Sequence, residues 1–382
     1  MKTQQITLAA DAWDNASLAA LSCIQPQLVL VFGSVDCLGQ PGVFQRLQAA
    51  CPQALWLGCS TAGEISNNGV SEKTCVLTAV RFEGAVRLNV AETTIHDMAD
   101  SHEAGAAVGR SLAAPDLRAV LLFGKGVNVN GSALIEGVMS QVGQHIPITG
   151  GLAGDDGAFH STLTVGPRGI DADGLVGLGL YGDGLVLGHG SFGGWMPFGP
   201  ARKVTRSSGN ILYELDGEPA LNIYKRYLGD YAKDLPGSGL LFPFEMLNEQ
   251  HTASGLIRTI LGVDEAAGSL VLAGDIDPNG YLRLMHASTS HLVDGAETAA
   301  QYTHAQLPEG VAGGLALLVS CVGRRLVMGD DVEEEVEVVA DKLGRSHTLT
   351  GFYSYGEIAP FSHTTDCKLH NQTMTVTFLG ER

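Results

Sequence analysis

The chain contains the apolar run Leu28-Val29-Leu30-Val31-Phe32-Gly33, and a helical pattern follows it from about Val43 to Ala50. A second apolar run, Leu55-Trp56-Leu57, breaks into the loop Gly58-Cys59-Ser60-Thr61-Ala62-Gly63-Glu64-Ile65, and a third run extends from Thr74 to Phe82. Short apolar runs bounded by glycine are typical of buried strands. A helix between two such strands is typical of a parallel β-α-β unit.

The same order of elements recurs twice. The second copy comprises the run Ala119 to Gly124, a helical pattern from about Ser132 to Val142, the loop Ile148-Thr149-Gly150-Gly151-Leu152-Ala153-Gly154-Asp155-Asp156 and a strand near Leu175 to Tyr181. The third copy comprises the run Leu315 to Gly323, a helical pattern from about Glu333 to Leu343, the loop Gly351-Phe352-Tyr353-Ser354-Tyr355-Gly356-Glu357-Ile358 and a strand from Met374 to Leu379.

Similar glycine spacings accompany the recurrence, from Gly33 to Gly58, Gly124 to Gly150 and Gly323 to Gly351. We therefore predict an α/β fold of repeated strand-helix-strand units, with mixed sheets and helices packed on them. Loops that leave the same end of a sheet line pockets, so these loops are expected to meet at an interdomain pocket. The alternative is that apolar strands ending in glycine simply recur in any α/β protein.

A length of 382 residues is typical of about two domains. The segment from 202 to 294 has a different pattern, with short strands separated by glycine, proline and aspartate. We place a boundary near residue 200, which gives one α/β domain at 1–200 and a second at 201–382.

The formal net charge is −18, which repels phosphate backbones and disfavours both nucleic acid and anionic membranes as partners. No segment approaches the ~20 apolar residues of a membrane span, so no membrane insertion is expected. The 7 cysteines lack paired spacing, which favours free thiols in the cytoplasm. Cys59 and Cys321 each end a strand in a small-residue turn, where a thiol nucleophile would stand.

Five motifs together resemble the FIST family, with its FIST N and FIST C domains. They are the loop at 58–65, the segment Gly150-Gly151-Leu152-Ala153-Gly154-Asp155, the turn Cys321-Val322-Gly323-Arg324, the loop at 351–358, and Leu369-His370-Asn371-Gln372-Thr373. They occur in the family's order over nearly the whole chain. The resemblance implies a sensory ligand-binding protein of signal transduction.

A bacterial branch of that family binds haem, detects nitric oxide and regulates a histidine kinase. By this resemblance the cofactor is haem b, His370 is the ligand to iron, and Tyr353, Tyr355, Arg324 and Asn371 flank the macrocycle; His160 and His363 are the reserve ligands. The expected ligand pocket consists of Gly58, Cys59, Ser60, Gly151, Asp155, Cys321 and Glu357. No catalytic residue is assigned, and a non-enzymatic sensor is expected.

Two alternatives remain open. The first is a non-haem sensor of an amino acid or metabolite, in which Asp155 and Asp156 would bind an amino group. The second is a thiol-dependent enzyme that uses Cys59 or Cys321. Glu64 and Glu357 occupy matching places in two repeats and are expected to make structural hydrogen bonds.

Overall fold

The computed structural model describes residues 1–9, 12–13, 15–311, 313–361 and 366–382. Three α/β units follow one another along the chain, and an antiparallel sheet is inserted in the third. The first unit contains β1 (Lys2–Ala9), α1 (Asn15–Ser22), β2 (Leu28–Gly33), α2 (Val35–Leu38), α3 (Val43–Ala50), β3 (Leu55–Ser60), β4 (Glu64–Ser66), β5 (Gly69–Ser71) and β6 (Thr74–Arg81).

The second unit repeats this order. It contains β7 (Arg87–Thr94), a 3-10 turn at Met98–Asp100, α4 (Ser101–Leu112), β8 (Leu117–Gly124), α5 (Gly131–Val142), β9 (Ile148–Leu152), β10 (Thr164–Gly166), β11 (Gly169–Asp171) and β12 (Gly174–Tyr181).

The third unit begins with β13 (Leu185–Phe192) and is then interrupted by the insert, which we define as residues 196–286. The insert contains β14 (Met196–Pro197), β15 (Arg202–Ser208), β16 (Ile211–Leu215), β17 (Glu218–Pro219), α6 (Ala220–Leu228), 3-10 turns at Gly229–Asp234 and Gly237–Leu240, β18 (Phe244–Leu247), β19 (Ala253–Arg258), β20 (Ile260–Asp264), β21 (Ser269–Leu272) and β22 (Tyr281–His286). The unit then continues with α7 (Thr289–His304), β23 (Leu315–Cys321), α8 (Val322–Met328), a 3-10 turn at Gly329–Asp331, α9 (Glu333–Leu343), β24 (Thr348–Ser354), β25 (Gly356–Pro360), β26 (Cys367–His370) and β27 (Met374–Glu381).

The three units exchange hairpins in a cycle. Each has a four-stranded mixed sheet, in the orders β1-β6-β2-β3, β7-β12-β8-β9 and β13-β27-β23-β24. The hairpin β4–β5 of the first unit extends the third sheet, β10–β11 of the second extends the first, and β25–β26 of the third extends the second. We call this closed assembly the ring.

Glycine is required at one matching place in every unit. Gly58, Gly150 and Gly351 pair across parallel strands with Val31, Leu122 and Leu318. A Cβ atom at these glycines would lie 1.8, 2.1 and 1.8 Å from the carbonyl oxygens of those partners. Because backbone cannot give way by that amount, any side chain would separate the two strands.

The ring has one shared core, because parallel strands of all three units, β2, β8 and β24 among them, send side chains to its centre. Phe32 stacks on Phe352 at 4.8 Å between ring centroids and meets Phe123 edge-on at 5.5 Å. These three rings lie in one apolar cluster with Leu121 and Leu317. Aromatic pairs of this kind add to the burial of area, so the centre joins all three units.

The predicted α/β class with repeated units and mixed sheets is confirmed. One detail of the repeat is wrong: Gly323 lies in α8, and the residue that matches Gly33 and Gly124 in register is Ser320. The division at residue 200 stays a prediction, although the third sheet combines β13 with strands beyond residue 315. Among the described helices, none has the length and apolarity needed to cross a bilayer.

Candidate functional site

The three predicted loops meet through a cyclic set of backbone hydrogen bonds. The Ala62 amide donates to the Tyr353 carbonyl at 2.8 Å, and the Gly154 amide donates to the Ser60 carbonyl at 2.9 Å. The Tyr355 amide closes the cycle by donating to the Leu152 carbonyl at 3.2 Å. The loops therefore join the units directly, and the space that can take a ligand lies beside them.

Asp155 and Tyr355 form a rigid support at one side of this junction. The Tyr355 hydroxyl donates to Asp155 Oδ1 and accepts from the amides of Asp155 at 3.1 Å and Gly157 at 2.9 Å. Asp155 also accepts from the amides of Phe159, His160 and Ser161 at 2.7 to 2.8 Å. Burial raises the pKa of Tyr355. Because the loop occupies both oxygens of Asp155, this carboxylate acts on the loop and not on a ligand.

Phe159 lies on this support. Its ring stacks on Tyr355 with centroids 4.0 Å apart and planes 14° apart. Its backbone has φ 56°, a left-handed conformation that non-glycine residues rarely adopt. Such strain persists only where surrounding contacts enforce it, and it is common at ligand sites.

A cavity of about 250 Å³ lies between this loop and the insert, and we call it the ring–insert cavity. Its volume is slightly below the ~300–1,000 Å³ found for most small-molecule sites, so it suits a ligand of few atoms. One wall belongs to the ring, at Met98, 126–131 and Phe159. The other belongs to the insert, at Asn210, Leu261 and 271–275. Residues 126–131 directly follow β8, so the cavity stands at the carboxyl end of a parallel strand, where α/β sheets bind ligands.

A helix cap at Asn130 holds the loop that forms the ring wall of the cavity. Asn130 accepts a hydrogen bond from the Ala133 amide at 3.1 Å and so caps α5. Asn128 in the same loop has φ 53°, the second strained non-glycine residue of the lining. The loop is thus held in one conformation beside the cavity.

Other cavities are less suited to a ligand. A cleft of about 480 Å³ is lined by Asp116, Arg118, His145 and Asp183, among others. It lies where β8 begins and β12 ends, away from the loops that follow the parallel strands, and Arg118 and Asp183 there pair with each other at 3.0 Å. A smaller cavity of about 120 Å³ lies at the β10–β11 turn, where Arg168 pairs with Glu92.

His370 is placed in a way that does not fit haem. Its side chain is 2% exposed, and its Nε2 lies 3.0 Å from the Ala359 carbonyl oxygen. Burial lowers the pKa of His370 to about 4, so the ring is neutral near pH 7. An axial ligand needs a free ring nitrogen facing a slot for the macrocycle. His370 does not line the ring–insert cavity, and Phe361 covers it edge-on at 5.2 Å.

Arg324 and Tyr353 belong to a buried polar network. Arg324 is fully buried, pairs with Glu335 at 2.7 Å and donates to the carbonyls of Gly193 and Leu292. The Tyr353 hydroxyl donates to Glu335 at 2.7 Å, and burial raises the pKa of Tyr353. These groups connect the third unit to the segment before the insert. Their positions do not fit contact with haem propionates.

Asn371 and Gln372 lie between the ring and the insert. The Gln372 Nε2 donates to the Leu240 carbonyl at 2.9 Å and the Thr259 hydroxyl at 3.1 Å. Its backbone carbonyl accepts from the Trp195 indole at 2.8 Å. Asn371 is 1% exposed, and its Oδ1 has no hydrogen-bond partner in the described part of the chain. The motif at 369–373 therefore joins the two parts of the molecule.

The thiols and the paired glutamates are buried. Burial raises the pKa of Cys59 and of Cys321, which disfavours the thiolate a nucleophile needs. Glu64 accepts from Thr61 and Thr74, and Glu357 accepts from Ser354 and Thr373. Burial raises the pKa of each carboxyl to about 7.

The remaining residues of the predicted pocket lie where the three loops join the units. Gly58, Cys59 and Gly151 are buried in strands, and Ser60 donates to the Gly154 carbonyl at 2.7 Å. His160 is exposed, and His363 lies outside the described residues. Among the described residues, no group of three or more His, Cys, Asp or Glu side chains is placed to hold a metal ion. Sequence reasoning missed Phe159, the loop at 126–131 and the insert wall.

Comparisons with known proteins give two family matches. The FIST N domain model matches residues 27–218, and the FIST C domain model matches residues 220–360. The uncharacterized protein MJ1623 of Methanocaldococcus jannaschii is 38% identical over 92 residues, which is 23% of this chain and only 17% of that protein. A cyanuric acid hydrolase structure from A. caulinodans aligns over 100% of this chain and 99% of its own at 9% identity, with a TM-score of 0.37.

Proposed function

The chain belongs to the FIST family, and from that premise we propose that it is a sensor whose small ligand binds in the ring–insert cavity. FIST domains are signalling sensor domains that bind small ligands. The observation that carries the proposal is the cavity itself. Its ring wall and Asn210 lie in the FIST N match, and the rest of its insert wall lies in the FIST C match.

The position of the cavity supports signalling as well as binding. A ligand there would contact the loop at 126–131 and the segment at 271–275 at once. Such a ligand would bind more tightly when ring and insert are closed on it than when they are apart. It would stabilise the closed arrangement by the difference between the two binding free energies. A partner protein that contacts both parts could detect that change.

Haem b, nitric oxide and a histidine kinase partner stay predictions from the family resemblance. The geometry favours the alternative, a non-haem ligand. The cavity lining contains no histidine or cysteine among the residues that the structure describes, and its volume suits a small metabolite. The buried thiols do not support the thiol-enzyme alternative.

The test measures thermal unfolding midpoints with a panel of proteinogenic L-amino acids, simple alkylamines and haem. A ligand that binds only the folded state raises the midpoint. The variant Ala273→Phe fills the cavity from its insert wall, and Ala266→Phe adds the same ring at an exposed turn of the insert.

We expect at least one compound to raise the midpoint of the wild type and of Ala266→Phe, but not that of Ala273→Phe. A compound that stabilises all three equally binds elsewhere and would overturn the assignment of the cavity. A haem-specific shift with the appearance of a Soret band in Ala273→Phe would restore the haem prediction at a different site.

A further inference from the structure

We infer that the ligand of the ring–insert cavity is a small alkylammonium cation without a carboxylate. This inference rests on the proposed function and specifies the ligand class of the same site. It follows from the charges, the aromatic face and the apolar wall that the cavity presents.

The cavity lining carries a single charged side chain among the described residues, the carboxylate of Asp275. This carboxylate is exposed and makes no hydrogen bond or close ion pair with another described residue, so its oxygens are available to a ligand. The same lining contains no lysine, arginine or histidine. A zwitterionic amino acid would leave its carboxylate unpaired in the cavity, and an unpaired charge in a partly desolvated site opposes binding.

Arg258 interacts electrostatically with Asp275 but does not line the cavity. It is 4% exposed, and its Nε donates to the Asp275 carbonyl at 3.2 Å. Its Nη1 donates to the carbonyls of Ile257 at 3.2 Å and Leu369 at 3.3 Å. Arg258 therefore fixes the backbone beneath Asp275 and does not line the cavity.

Phe159 offers an aromatic face to a cation. Tyr355 stacks on one face of its ring and is not part of the cavity lining, which leaves the opposite face for a ligand. A cation within about 6 Å of an aromatic centroid is attracted by the ring quadrupole. The hydrogen bonds from Phe159 to Asp155 and Tyr355 hold that face in position before any ligand arrives.

The rest of the lining suits an alkyl chain. It is formed by Met98, Val127, Val129, Leu261 and Val271. The side-chain Nδ2 of Asn210 donates to the Leu272 carbonyl at 2.8 Å, which leaves the side-chain Oδ1 as an acceptor. The acceptors at Asn210 and Asp275 match the N–H donors of an alkylammonium ion. The apolar wall between ring and insert matches its alkyl chain.

The experiment compares three probes of similar chain length by titration calorimetry on the full chain. Butylammonium carries only the cation, L-norvaline adds a carboxylate to the same carbon chain, and 1-butanol is neutral. The variants are Asp275→Asn, which removes the charge at constant shape, and Phe159→Leu, which removes the aromatic face. Glu249→Gln is the matched control, since Glu249 is exposed and does not line the cavity.

We expect butylammonium to bind the wild type more tightly than either other probe. Its affinity should fall about tenfold or more in Asp275→Asn, as for loss of a charged hydrogen-bond partner. Phe159→Leu should also weaken it. Glu249→Gln should change it by less than about twofold, because an exposed distant charge is screened. This control matters because the net charge of −18 attracts any cation.

Several results would overturn the inference. One is tighter binding of norvaline or butanol that Ala273→Phe abolishes, which would leave the proposed sensor site intact with another ligand class. A second is butylammonium binding that Asp275→Asn and Glu249→Gln alter equally, which would show general attraction only. A third is no butylammonium binding to the folded wild type; the broader panel then decides the proposed function separately.

Discussion

Replacing Arg324 by methionine should strongly destabilise the fold, because Arg324 neutralises a fully buried carboxylate. The side chains of Arg324 and Glu335 are both fully buried. Glu335 Oε2 accepts hydrogen bonds from Arg324 Nε at 3.1 Å and from Arg324 Nη2 at 2.7 Å. The change leaves Glu335 with only the hydroxyls of Ser320 and Tyr353. The carbonyls of Gly193 and Leu292 also lose their donors.

Breaking a buried pair by removing one partner costs about 3–5 kcal/mol. That is a large part of the ~5–15 kcal/mol that stabilises an ordinary domain. The assay is urea unfolding followed by tryptophan fluorescence, in which a lower midpoint at unchanged slope reports lost stability. The matched control is Arg345→Met, which removes an exposed pair with Asp341 and should cost no more than about 0.5 kcal/mol.

A second variant tests the cause. In the double variant Arg324→Met with Glu335→Leu, the uncompensated carboxylate is gone, so part of the stability should return. A loss below about 1 kcal/mol in Arg324→Met, or one equal to that of Arg345→Met, would refute the structural role. If Arg324→Met instead kept its stability and lost haem affinity, the propionate interpretation would be right.

Three further predictions concern the ring. Gly351→Ala should lower the unfolding free energy by at least about 3 kcal/mol in urea, since the added Cβ would meet the Leu318 carbonyl. In the control Gly184→Ala, the added Cβ has nothing within 4 Å, so the unfolding free energy should not change. Equal losses in the two variants would contradict the repeat geometry. Because burial raises the pKa of Glu64 and Glu357 to about 7, the folded state retains protons that the unfolded state releases near pH 4.5. The unfolding free energy should therefore fall as pH rises from about 4.5 through 7, by up to about 1.4 kcal/mol per unit for each carboxyl. Glu357→Gln should flatten that fall and the exposed Glu334→Gln should not, and a flat wild-type profile would refute the burial argument. Haem added to His370→Ala should give the same absorption spectrum as with wild type, and a Soret shift confined to that variant would instead identify His370 as the iron ligand.

The repeated units could be predicted because their signals are local. Continuous apolar strands and a glycine at each close strand approach are visible in the sequence, as at Gly58 and Gly351. The first strand of each unit lies at a sheet edge, and β1 has no apolar run because its sequence is largely polar.

The site was only partly predictable. The predicted site residues stay predictions. Outside the three loops, His370 makes a buried hydrogen bond and Arg324 a buried ion pair, and neither lines the ring–insert cavity. The cavity depends on which surface of the ring the insert covers. No local pattern in 271–275 shows that this segment faces Phe159, because the pairing is made by tertiary packing over more than a hundred residues.

The most direct measurement is a crystal structure of the protein grown with the tightest-binding compound of the panel. We expect density for that compound between Phe159 and Asp275, in contact with both the 126–131 loop and the 271–275 segment. Density at another place, such as a macrocycle ligated by His370 with the ring–insert cavity empty, would contradict it.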